Sequence, residues 1–169
     1  MRSVRLRFRI FLVVTLLLYG MMHWLSGGLS GSEIVAFEVA KTELSARNIM
    51  AGWDAALREQ YLWSIYMDYF LLCAYSGLFY YACRYAAGKS GQAVMMGAAS
   101  FFAWLGPVAG LMDVLENTGM MYTIHAGAKD TVVHFTYDMA VVKFSLLLIV
   151  ALYIMVAMVF RLLHLFDRH

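Results

Sequence analysis

The sequence predicts an all-α integral membrane protein: a four-transmembrane-helix bundle with an amphipathic helix between spans 1 and 2 and both termini cytoplasmic. Three observations lead there. The chain of 169 residues is 63% hydrophobic and only 14% charged, whereas a soluble domain is nearer half apolar and a quarter charged. Four apolar segments reach or approach the length that about 30 Å of hydrocarbon demands. The basic residues gather at the ends of those segments instead of spreading along the chain. One membrane domain over 1–169 is expected, with spans at about 8–25, 62–87, 93–117 and 137–163. The amphipathic helix is expected at about 31–52.

The first span follows Arg2, Arg5, Arg7 and Arg9. A basic start, a greasy middle and Ser26-Gly27-Gly28 also describe a signal peptide. The apolar run counted from Phe8 is longer than a typical signal core, so a transmembrane helix is the expectation. Ser30 and Glu33 have capping-box spacing and predict a helix start. From there Val35, Val39, Ala46, Ile49, Trp53 and Leu57 recur at spacings of three, four or seven. Glu38, Lys41, Glu43, Arg47 and Arg58 fill the other faces. That pattern predicts a helix lying on the membrane or over the bundle mouth, as a lid or as a partner-binding arm.

Asp54 is placed to cap the next helix. The second span, ending at Gly88, is rich in tyrosine. Tyr and Trp near its ends suit membrane interfaces; Tyr66, Tyr69 and Tyr75 lie deeper and need hydrogen-bond partners. In the third span Gly97, Ala98, Ala99, Gly106 and Gly110 predict close helix approach. Pro107 predicts a kink. Thr118 to Thr136 reads as a polar connection before the last span. Cys73 and Cys83 stand ten residues apart in one helix, about 15 Å of rise, too far to bridge. They read as buried, inert thiols.

Charge sets the expected topology. Arg2, Arg5, Arg7, Arg9, Arg84, Lys89, Arg161 and Arg168 are eight of the thirteen basic residues. They flank the same side of the four predicted spans, so the positive-inside rule places both termini in the cytoplasm. The basic residues are few and, Lys143 apart, sit at membrane boundaries, which gives no support to nucleic-acid binding.

The chemistry-bearing stretch is Leu111-Met112-Asp113-Val114-Leu115-Glu116-Asn117. On a helix Asp113, Glu116 and Asn117 share one face. Asp68 from span 2 and Lys143 from span 4 fall at the same predicted depth. Polar groups there are expensive, so they pair, line water or act. Three carboxylates against one ammonium leave an excess of negative charge. Protonation, a bound cation or hydration of Glu116 would remove it. Asp68, Asp113, Glu116, Asn117 and Lys143 are therefore the expected ligand or cation site, in an outward-facing pocket. The alternative is a clamp between helices, with Asn117 as a C-cap. A softer pattern is Met120, Met121, His125 and His134, whose thioether and imidazole groups suit Cu(I) but also suit ordinary packing. No zinc-protease helix, phosphate loop, dinucleotide fingerprint or serine elbow occurs.

Asp113-x-x-Glu116-Asn117 followed by a lone Lys143 resembles a pattern in small bacterial four-helix membrane proteins to which no activity is assigned. The resemblance covers about the second half of the chain. It implies the fold and a bacterial origin, which makes the inner membrane the expected location; it leaves any cofactor unknown. The expected function is binding of a small ligand, lipid head group or cation. The alternatives are an accessory subunit of a larger membrane complex, with a partner or a second copy on its small-residue faces, and a membrane-embedded lipid-modifying enzyme using Asp113 or Glu116 as acid or base. A conducting role would need ionisable residues in the inner halves of the spans, which are scarce.

Overall fold

A computed structural model describes residues 2–25 and 31–166. Its elements are α1 (Arg2–Leu25), α2 (Gly31–Glu38), α3 (Glu43–Ala51), α4 (Ala55–Ser90), α5 (Ala93–Ala126) and α6 (Asp130–Phe166). The chain is all-α among the described residues.

The caps explain several boundaries. Asp54 accepts a hydrogen bond from the Leu57 N–H at 2.7 Å and starts α4, satisfying a donor the helix leaves orphaned. α4 runs past Gly88 to Ser90 and ends at Gly91, whose φ of 73° suits a residue without Cβ. Thr42 caps α3 through the Ser45 N–H at 3.2 Å. That cap divides the predicted 31–52 helix into α2 and α3, so the single amphipathic helix is corrected to a pair. The proposed Ser30 cap lies outside the described residues. α5 runs unbroken through Pro107 to Ala126, and α6 follows after 127–129, so the polar connection predicted from Thr118 to Thr136 is largely helix.

The long helices pack side by side, α4 against α1, α5 and α6, and α5 against α6. Contacts fix their directions. Phe8 stacks on Tyr85 and Phe11 on Tyr81, so α1 and α4 are antiparallel. Tyr75 meets Asp113, while Asn117 meets Asp68; α4 and α5 are antiparallel too. Tyr153 reaches the Met95 carbonyl and Lys143 reaches Glu116, which does the same for α5 and α6. α5 and α4 come close at Gly106 and Gly110: a Cβ at Gly106 would sit 2.9 Å from the Phe79 Cβ and 3.2 Å from the Ser76 carbonyl oxygen, and one at Gly110 would collide with the Ser76 hydroxyl. Gly97 meets nothing and plays no such part. Cys83 is buried, but Cys73 is exposed; both are free.

The four-span expectation is corrected. Among the described residues, α5 and α6 are long and apolar enough to cross a membrane, and α1 and α4 are not. The uninterrupted apolar part of α1 begins only after Arg9 and falls short of the ~20 residues a span requires. α4 has length to spare, but Asp68, its tyrosines and its Ser and Gly residues dilute its hydropathy. Only 28% of the apolar window of α5 and 17% of that of α6 is buried against the rest of the chain. Phe101, Trp104, Leu111, Leu148, Leu152, Met155 and Leu162 are exposed. A soluble core helix would hide such residues.

Candidate functional site

α5 presents Asp113, Glu116 and Asn117 on one buried face, at 3%, 0% and 2% exposure. Lys143 comes in from α6, itself only 6% exposed. Its Nζ lies 2.7 Å from Glu116 Oε2 and 3.1 Å from Asp113 Oδ1. The other Asp113 oxygen, Oδ2, accepts the Tyr75 hydroxyl at 2.6 Å. Glu116 Oε1 has no hydrogen-bond partner among the described residues. One step along, Asn117 Nδ2 donates to Asp68 Oδ2 at 2.7 Å. The five residues expected from the sequence therefore form two neighbouring groups where α4, α5 and α6 meet, Lys143 with Asp113 and Glu116, and Asn117 with Asp68.

Two members were not foreseen. The depth of Tyr75 in its helix calls for a hydrogen-bond partner, but the sequence does not say that the partner is Asp113. Glu38, read as part of a solvated helix face, lies 4.0 Å from Lys143. It is there because α2 ends at Glu38 and is held on α4 by an aromatic cluster. Phe37, Trp53 and Tyr61 pack at centroid distances of 4.7 to 5.4 Å. Tyr61 is fully buried, with its hydroxyl toward the Met120 sulfur and the Ile34 carbonyl, 3.5 Å from each. Glu43 N–H donating to Asp130 at 3.3 Å ties the start of α3 to α6. Burial pushes the Glu38 carboxyl above its ordinary value of 4.5; the Lys143 ammonium opposes that shift, and the Asp113 charge adds to it.

A cavity of about 450 Å³ opens beside this patch, between α1, α2, α4 and α6. Its polar end is Glu38, Asp68, Asp113, Tyr75 and Lys143, with His23 on the α1 side; most of the remaining wall is apolar, including Met22, Ile34, Leu71 and Leu147. A smaller void of about 40 Å³ adjoins it and shares Met22, Ile34, Glu38 and Asp68. Volumes of this size and walls of this character are those of small-molecule sites. Glu116 does not line the cavity; it backs Lys143.

The methionine and histidine set is used differently. Met120 and Met121 take tyrosine hydroxyls, from Tyr61 and Tyr69. His125 Nδ1 bonds its own helix at the Met121 carbonyl, 2.8 Å away, and His134 stacks on Tyr137. Among the described residues no three of His, Cys, Asp or Glu are grouped to hold a metal.

Comparison of the chain with protein-family models, curated proteins and solved structures finds no match.

Proposed function

We propose that this chain is an integral membrane protein whose buried polar patch binds the head group of a small amphiphile at the end of an apolar cavity. The observation that carries the reading is the 450 Å³ cavity walled at one end by Asp68, Asp113, Glu38 and Lys143. A clamp between helices accounts for Lys143 with Asp113 and Glu116. It does not account for the cavity, onto which Asp68 opens with no ammonium contact among the described residues and Glu38 with only the 4.0 Å contact to Lys143. The exposed apolar surfaces of α5 and α6 support a lipid setting.

The orientation follows from charge. Arg7 and Arg84 lie beside Tyr81 and Tyr80 near the end of α4, and His164 lies beside Gly91. That end of the bundle carries most of the basic residues and is cytoplasmic in this reading, as in a bacterial inner membrane. The polar patch and the α2–α3 pair then lie toward the outside.

The test is ligand retention with stability measured alongside. Asp113→Asn and Lys143→Met should each reduce the small molecule that co-purifies with the protein. If retention and stability both stay at the parental level, the reading fails. The same cavity favours a second reading, a lipid-modifying enzyme, because Asp113 is open to it whereas Glu116 is not. Conversion of a supplied phospholipid that is lost in Asp113→Asn would establish that activity.

A further inference from the structure

Resting on that reading, we infer that the ligand is a lipophilic cation: an amine or quaternary ammonium head between Asp68 and Glu38, with an apolar tail lying between α1 and α6.

Charge decides the head. Glu38, Asp68, Asp113 and Glu116 meet a single Lys, Lys143; the other basic side chain on the cavity wall is His23 of α1. That ammonium is already taken up by Glu116 at 2.7 Å and Asp113 at 3.1 Å, and stands 4.0 Å from Glu38. Glu116 Oε1 is buried without a hydrogen-bond partner, so the cluster is already short of donors. Asp68 has one neutral donor, Asn117, at 2.7 Å. Asp68 and Glu38 both line the large cavity and the small void beside it. A cationic head in that corner supplies the missing charge, and an anionic head meets repulsion there.

Shape decides the tail. α1 packs mainly on α4. The cavity lies beside it, with Tyr19 and Met22 of α1 on one wall and Phe144 and Leu147 of α6 on another. Tyr19 and Phe144, which line the cavity from α1 and α6, are both exposed. A chain or ring system entering sideways from lipid meets apolar side chains first and the carboxylates last.

The test uses three probes with one tail: dodecylamine, dodecanol and dodecanoate, each radiolabelled, with the full chain in phosphatidylcholine nanodiscs. Dodecylamine should bind at least about tenfold more tightly than the other two. Asp68→Asn should erase that preference. Leu147→Trp, which fills the cavity and leaves every carboxylate in place, should weaken all three probes. Equal binding of amine and alcohol, both lost in Leu147→Trp, would overturn the cationic head while leaving an amphiphile site standing. Preference for dodecanoate would overturn it as well. Failure of all three probes to bind would remove both the inference and the reading beneath it. Displacement of the amine by calcium or sodium at equal occupancy would reassign the corner to an inorganic cation.

Discussion

Lys143 decides how the patch behaves when a side chain is lost. It sits against Asp113 and Glu116 in a setting nearly closed to solvent. Removing one partner of a buried pair leaves the others uncompensated, which costs about 3–5 kcal/mol. Lys143→Met should therefore lower the thermal unfolding midpoint sharply in detergent. Adding Glu116→Gln should recover part of the loss, because the second change removes a stranded charge. An additive double variant would show that the two side chains act independently. Glu38 makes a separate prediction about pH. Its carboxyl titrates above 4.5 in the folded protein. The folded chain thus holds a proton that the unfolded chain releases, and this contribution to stability falls as pH rises upward from 4.5. Glu38→Gln should flatten that decline in unfolding midpoints taken from about pH 4 to about pH 8; an unchanged slope would assign the titration to another group. The sequence made part of this patch legible. Asp113, Glu116 and Asn117 announce themselves by helical spacing, and Lys143 by being a lone ammonium in an apolar run. Glu38 was not legible. Its place depends on where α2 stops and on how Phe37 packs against Trp53 and Tyr61, neither of which a local pattern encodes.

Helix boundaries and helix contacts were read unevenly. The Asp54 cap was visible because a side-chain oxygen just before an apolar run has one obvious use. The α2–α3 break was hidden because the apolar positions keep a helical rhythm across it, and the interruption comes from Thr42 capping a fresh start. The extension of α5 and α6 into the 118–136 stretch was hidden for the opposite reason. Polar residues there suggested a loop, but Thr118 and Thr123 turn their hydroxyls to the Val114 and Gly119 carbonyls of their own helix. That satisfies them without leaving helical geometry. Small residues in α5 are unequal: Gly106 lies against the α4 backbone and Gly97 does not. Gly106→Ala should push α5 from α4 and cost about 1–3 kcal/mol, whereas Gly97→Ala should be neutral or slightly stabilising. Unfolding of the two variants under one set of conditions checks the contrast. Equal effects would mean that the α4–α5 contact is not tight at Gly106.

As a whole the molecule is a helical bundle with two helices fit to cross a membrane, not the four that overall greasiness suggested. Composition averages over the chain. It does not distinguish α6, apolar almost throughout, from α4, where tyrosines and Asp68 serve the interior of the bundle. Asp68 and Tyr75, which lower the hydropathy of α4, also build the polar end of the cavity, so at α4 the departure from the expected architecture and the candidate site have one cause. The claim that joins them is that this cavity holds a small amphiphile. Native mass spectrometry of the chain released gently from its own membrane tests that most directly. The account predicts a species heavier than 19.1 kDa by one small-molecule mass, with the added mass lost in Asp68→Asn while the variant stays folded. A bare 19.1 kDa chain, under conditions that keep bound lipid on a control membrane protein, would contradict it.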